Sequence, residues 1–281
     1  MSRWHGWLAD EAAAREAAGL TRRLRARDAA DPAVDLAGND YLGLARDPAV
    51  ARGAAEAALA WGAGASASRL VTGTLAVHAA LEDELAAYLG QPAALVTSTG
   101  YHANLAVVAG LADRTTRVLS DAHIHASLVD GVRLSRARLT VVPHSDVAAV
   151  RDGLAAAAAA GERAMVLAES VYSVLGDAAP LAELADLAER YDALLVVDEA
   201  HGLGVHGPGL VAAQGLAGHP HVVVTATLSK SLGSQGGAVL GPAAVRDHLV
   251  NRARAFIFDT GLAPAAAGGA LAALGQLRAR P

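Results

Sequence analysis

The 281 residues contain no cysteine, which excludes disulfides, thiolate nucleophiles and cysteine-based zinc sites. Aromatic side chains are scarce, 4% against 53% hydrophobic residues in all, so the core has to be aliphatic. Much of that content is alanine; runs such as Ala155–Ala160 favour helix and carry no chemistry. Blocks of like charge are missing too. The net charge of −5 arises from acidic and basic residues mixed along the chain, which argues against a nucleic-acid or lipid surface. The longest uncharged apolar stretch, Leu262–Leu277, is broken by Pro264, Gly268 and Gly269 and falls short of the roughly 20 residues of a membrane span. Arg3, Asp10 and Glu11 near the start leave no room for a secretory signal. The expectation is a cytoplasmic protein without nucleic-acid or membrane partners.

One shortage is informative. Of 23 basic residues a single one is lysine, Lys230. A coding bias toward arginine explains the other 22. Arginine serves wherever only positive charge is needed, but it cannot condense with an aldehyde as an amine can. Lys230 is therefore a candidate for amine chemistry.

The remaining pattern alternates helices with short β-rich runs. An N-terminal helix is expected over Trp4–Arg25, followed by an extended piece at Val34–Leu36 and a turn at Gly38–Gly43. Helices are expected after Pro48 and over Leu75–Leu89, where Val77, Leu81, Leu85 and Leu89 recur at helical spacing. Strand–helix units follow, with strands at Ala93–Thr97, Arg117–Ser120, Leu139–Val142, Ala164–Ala168, Leu194–Val197, Val222–Ala226 and Gly236–Leu240. Leu194–Val197 and Val222–Ala226 are continuous apolar runs, the mark of strands buried on both faces. This predicts an α/β fold with a mostly parallel sheet flanked by helices. The division expected is an N-terminal helical arm, residues 1–38, and a large domain, residues 39–281.

Three motifs lose to plainer readings. Asp198-Glu199-Ala200-His201 spells a helicase DEAH box, but no GxxxxGK[ST] loop accompanies it. Gly202–Gly207 matches GxGxxG, yet polar residues separate it from the strand, Pro208 follows, and no acid sits about 20 residues on. His123 and His125 form an H-x-H pair without further ligands at metal spacing, so no metal is expected.

A different constellation is more specific. The strand Leu194–Val197 runs into Asp198, with His201 three residues on; a carboxylate there points into the crevice where α/β proteins bind ligands. Lys230 also follows a buried strand. Thr99-Gly100-Tyr101 sits between a strand and a helix, where free backbone N–H groups suit a phosphate. An aldehyde-reactive lysine, a carboxylate and a phosphate cradle are the parts a pyridoxal 5′-phosphate (PLP) site requires.

At this point the chain resembles the α-oxoamine synthases, a family of fold-type I PLP enzymes. The resemblance runs in order through Asn39–Leu44, Ser68–Thr74 with His78, Thr99–Asn104, His125–Leu128, Val197–Gly202, Thr227–Lys230 with Gly236-Gly237, and Phe256–Thr260. It implies that Lys230 holds the PLP aldehyde and moves the substrate α-proton, that Asp198 pairs with the pyridine nitrogen, and that His201 meets the phenolic oxygen. It further implies that His125 stacks on the ring and positions the incoming thioester, and that Gly100, Tyr101 and Thr227 bind the phosphate. Ser170 would lie beside the cofactor, Asn39 near the amino-acid carboxylate, and Thr260 at the phosphate of a neighbouring subunit in a homodimer. The activity implied is decarboxylative condensation of an amino acid with an acyl thioester. The resemblance leans to the member of biotin biosynthesis that joins L-alanine to pimeloyl-CoA or pimeloyl-ACP, giving 8-amino-7-oxononanoate. The alternatives are glycine C-acetyltransferase, 5-aminolevulinate synthase, or a PLP-binding fragment without turnover.

Three departures accompany it. Where the family has Asp-Gly after the Ser170 strand, this chain reads Val174-Leu175-Gly176-Asp177, so a looser loop is expected. Where the family has Leu-Arg near the N-terminus, Leu20 is followed by Thr21 and only then by Arg22, to which a role with the acyl substrate is carried. The family's C-terminal small domain, with its carboxylate-binding arginine, has no counterpart before Pro281; Arg278 and Arg280 come too early in the pattern. The chain is expected to be a large domain with the small domain missing.

Overall fold

The computed structural model describes residues 2–29, 31 and 33–279. The expectation for the chain end at Arg280 and Pro281 lies outside them. The chain divides into two compact units, Met1–Gly38 and Asn39–Pro281.

The first unit holds one helix, α1 (Arg3–Ala17), with no buried side chain. It is shorter than the expected Trp4–Arg25. Gly19 takes a left-handed φ of 68°, and the N–H of Leu20 turns back to the Arg15 carbonyl at 2.9 Å, which stops a helix in the usual way. The extended piece expected at Val34–Leu36 joins no sheet. Instead Asp35 accepts the N–H groups of Ala37 and Gly38 and pairs with Arg27 at 2.8 Å, a local turn in place of a ladder.

The second unit is a three-layer α/β sandwich. In chain order it runs α2 (Pro48–Trp61), α3 (Ala76–Leu89), β1 (Ala93–Thr97), α4 (Gly100–Leu111), β2 (Thr116–Asp121), α5 (Ala126–Ser135), β3 (Arg138–Val142), α6 (Val147–Ala159) and β4 (Arg163–Glu169). It continues with α7 (Leu181–Arg190), β5 (Leu194–Asp198), α8 (Leu210–Ala213), β6 (Val222–Thr227), β7 (Gly237–Gly241), α9 (Ala243–Arg252), α10 (Arg254–Ile257) and α11 (Pro264–Ala279). The seven strands are ordered β1-β7-β6-β5-β4-β2-β3. Pairings among β3, β2, β4, β5 and β6 are parallel, whereas β7 runs antiparallel to both its neighbours. The sheet is mostly parallel, as the alternation predicts. The reversal of β7 was not legible, because strand direction leaves no mark on an apolar run of five.

The continuous apolar runs are explained by two cores, one on each face. Successive residues of a strand point to opposite faces. Val166, Leu195, Val197, Val222 and Val224 meet α3, α6, α7 and α11 on one side. Met165, Leu167, Val196 and Val223 meet α4, α5, α9 and α10 on the other. With both faces dry, functional groups are left to the strand ends. No helix among the described residues is long and apolar enough to cross a membrane.

Candidate active site

Three neighbouring strands end in polar residues at the same edge: β4 in Glu169, β5 in Asp198, β6 in Thr227. Glu169 and Asp198 are register partners, so both carboxylates face one cavity of about 260 Å³. That lies just under the roughly 300–1,000 Å³ of drug-sized ligand pockets, a fit for a single substituted ring. Lys230, His201, His125, Gly100 and Tyr101 also line it.

Asp198 is only 6% exposed. Its Oδ1 accepts the Ala200 N–H at 2.9 Å and its Oδ2 accepts from Asn104 Nδ2 at 2.7 Å. The second hydrogen of that amide goes to the Ser127 hydroxyl at 2.8 Å. Ser127 therefore donates onward to His125 Nδ1, 2.6 Å away, and its backbone N–H donates there too at 3.2 Å. With Nδ1 used as an acceptor, the proton of neutral His125 sits on Nε2. One chain of hydrogen bonds, buried at Asn104 and Ser127, thus aims both the carboxylate and the exposed imidazole.

Lys230 is held by its turn. Leu228 and Leu232 are fully buried on either side, and the Gly233 N–H donates to the Lys230 carbonyl at 2.9 Å. Gly233 has φ 59°, and a Cβ there would lie 2.2 Å from the Ala45 nitrogen, so the lysine turn packs directly on the Leu44-Ala45 backbone that follows the Asn39–Gly43 turn. Burial lowers the Lys230 pKa, against the opposing pull of Asp198 and Glu169. The amine Nζ lies 2.7 Å from His201 Nε2. His201 is itself shifted down, first by burial and then by Lys230. Its Nδ1 lies 2.7 Å from the Tyr41 hydroxyl, which donates to Asn39 Oδ1 at 3.0 Å.

Helix α4 points its start into the cavity. Gly100 and Tyr101 are its first residues, so their N–H groups have no carbonyl within the helix to donate to. The Thr227 hydroxyl lies beside them, 2.7 Å from that of Ser229. The donor set fits a pyridoxal phosphate group. It offers one amine of lowered pKa, a fixed carboxylate, a helix start for a phosphate, and a cavity of matching size. Glu169 lines the same cavity, and its buried Oε1 has no hydrogen-bond partner among the described residues. Burial, and next Asp198, raise the Glu169 carboxyl to about 7.

Other expected residues stand elsewhere. Ser170 does not line the cavity: it lies past the end of β4, fully buried, and its hydroxyl donates to Glu199 Oε2 at 2.6 Å. That corrects its expected place beside the ring; Glu169, one residue earlier and on the other face of the chain, is there instead. Glu199, read in the DEAH box, also accepts the Val211 N–H at 2.7 Å and is a buried structural acid. Thr260 is exposed in a separate cleft with Arg69, Ser98 and Asp259. Arg22 is exposed in the loop after α1. The loop at Val174–Asp177 is anchored: Asp177 Oδ2 meets His144 Nε2 at 2.8 Å. His123 packs edge-on against His144, and among the described residues no three His, Cys, Asp or Glu side chains are placed to hold a metal ion.

Asn104, Ser127, Tyr41 and Glu169 were not assigned roles from the sequence. Glu169 carried the same signal as Asp198, an acid ending an apolar strand. Asn104 is a lone amide on an otherwise apolar helix face.

The fold and this strand-edge site define a class: the chain belongs to the aminotransferase class I and II family, which residues 31–278 match. Within it, the chain is 58% identical to 8-amino-7-oxononanoate synthase of Mycolicibacterium paratuberculosis, over 98% of this chain and 72% of that protein. A solved 8-amino-7-oxononanoate synthase from Francisella tularensis superposes with a TM-score of 0.74 at 26% identity, over 88% of this chain and 70% of that one. Serine palmitoyltransferase from S. paucimobilis, solved with PLP and myriocin bound, gives 0.79 at 33% identity, over 85% of this chain and 62% of that one.

Proposed function

We propose that the chain catalyses the 8-amino-7-oxononanoate synthase reaction, with PLP held at Lys230 and with L-alanine and a pimeloyl thioester of CoA or acyl carrier protein as substrates. The observation that carries the reading is the placement of the single lysine of the chain across the strand-edge cavity from buried Asp198. The 58% identity to a synthase of that name supports the choice of reaction.

PLP, when bound, supplies an aldehyde for amines and a protonated ring that withdraws electrons from the carbon beside the amine nitrogen. Asp198 would hold the ring nitrogen protonated; Asn104 and the Ala200 N–H keep that carboxylate aimed. The N–H groups of Gly100 and Tyr101 and the Thr227 hydroxyl would bind the phosphate. Lys230 would hold the cofactor through its amine. Its lowered pKa favours the neutral form that can then take the α-proton of alanine at Nζ and return it. His201 would meet the phenolic oxygen through Nε2. His125 would stack on the ring and, with its Nε2–H free, donate to the thioester carbonyl as charge develops there. Asn39 would donate its amide N–H groups to the alanine carboxylate. Thr260, outside the cavity, would serve a neighbouring copy in a homodimer, and Arg22 would meet the acyl chain.

The test is a substrate comparison. Alanine with pimeloyl-CoA or pimeloyl-ACP should be consumed with release of CO₂ and appearance of 8-amino-7-oxononanoate. Activity confined to glycine with acetyl- or succinyl-CoA would replace this reading with glycine C-acetyltransferase or 5-aminolevulinate synthase. PLP absorbance without turnover on any pair would leave a binding fragment.

A further inference from the structure

The turn Asn39–Gly43 contributes more than Asn39. Its geometry is fixed from both sides: the Asp40 carboxylate accepts the Ala45 N–H at 3.2 Å and the Gly43 N–H returns to the Asp40 carbonyl at 3.1 Å. The lysine turn packs, at Gly233, against the Leu44-Ala45 backbone just after it. Tyr41 is 42% exposed, so its side chain does not hold up the core. Its hydroxyl stands between the side chain of Asn39, two residues away in sequence, and that of His201, which lines the cavity.

A phenol has one hydrogen. Given to Asn39 Oδ1 at 3.0 Å, it leaves Tyr41 oxygen an acceptor toward His201 Nδ1 at 2.7 Å. Nδ1 then carries the ring proton, and Nε2 becomes a lone pair facing Lys230 Nζ at 2.7 Å. The same bond turns the Asn39 amide so that its oxygen is used and its N–H groups are free. We infer that Tyr41 is a positioning residue: its hydroxyl fixes His201 in the Nδ1–H form, so that Nε2 accepts from the Lys230 amine, and orients the Asn39 amide to donate. His201 and His125 are thereby held in opposite tautomers. Burial raises the Tyr41 pKa, which keeps the hydroxyl protonated for the task.

The inference deepens the proposed function, but its test needs neither cofactor nor turnover, so the two can fail separately. One lysine in the chain means that protein labelled with ¹³C-lysine gives a single Cε signal. Its titration reports Lys230 in the field of Asp198, Glu169, His201 and, behind His201, His125. ¹⁵N-histidine spectra, with the His201 signals located through His201→Gln, report the tautomer. In the unmodified protein His201 should show a protonated Nδ1. In Tyr41→Phe, which keeps the ring, that form should give way to a mixture. The Lys230 titration should move down by about 0.5–1 pH unit, the worth of one ordinary hydrogen bond to the charged form. A protonated Nε2 in the unmodified protein, or Tyr41→Phe spectra and titration that match it, would overturn the assignment. A variant that loses only bulk stability moves neither readout in this pattern.

Discussion

Glu169 is 1% exposed, ends its strand beside Asp198, and keeps one oxygen without a partner among the described residues. Its carboxyl is raised from 4.5 to about 7, chiefly by burial. The folded protein therefore holds a proton there between those values that the unfolded chain releases. Folding is favoured by that group at low pH, and the benefit is lost as pH rises through 7. The full difference is about 3 kcal/mol; water in the open cavity screens part of it, leaving about 2 kcal/mol. Glu169→Gln cannot ionise, and its amide oxygen can still accept the Ser173 N–H that Oε2 accepts at 2.9 Å. Urea unfolding of the cofactor-free proteins should show similar stabilities at pH 4.5. The variant should gain about 2 kcal/mol over the parent by pH 8. A difference that stays flat across that range, or a variant that becomes the weaker protein at pH 8, would refute the account of this carboxyl as a protonated group.

His144 gives the opposite sign. Its pKa is raised above the ordinary 6.5 by hydrogen bonds to Asp121 and then Asp177. Its contribution is therefore present below about 6.5 and lost as pH climbs through the folded value. His144→Ala should cost more stability at pH 5.5 than at pH 9, as read from urea midpoints; equal costs would contradict it. Gly237 opens β7 against the start of α4, and a Cβ there would lie 2.4 Å from the Thr99 carbonyl oxygen. Gly237→Ala should cost about 1–3 kcal/mol and weaken PLP binding by displacing the phosphate-facing helix start. Unchanged unfolding and unchanged PLP affinity would show that the contact relaxes freely.

Six of the seven strands were legible because each is a short, mostly apolar run buried over most of its length and bounded by polar or glycine residues; β3, at the sheet edge, is largely exposed. Asp198 and Lys230 were legible for the same reason: chemistry placed where a dry strand ends. The start of α4 followed from a strand–Thr-Gly–helix pattern. What escaped depends on contacts between distant segments. Tyr41 meets His201 160 residues away and Asn104 meets Asp198 across 94, and no local period records either. Ser170 was misplaced because one step along a strand end reverses the face, turning its hydroxyl to Glu199 and Glu169 to the cavity. The end of α1 was overrun because helix-favouring residues continue past Gly19, whose left-handed φ decides the matter.

The central claim is that the one lysine of the chain carries PLP. The direct measurement is borohydride reduction after incubation with PLP, followed by peptide mass mapping. The account predicts phosphopyridoxyl mass on the peptide containing Lys230 and none on Lys230→Ala. Full retention of PLP absorbance with no mass added at Lys230 would contradict it.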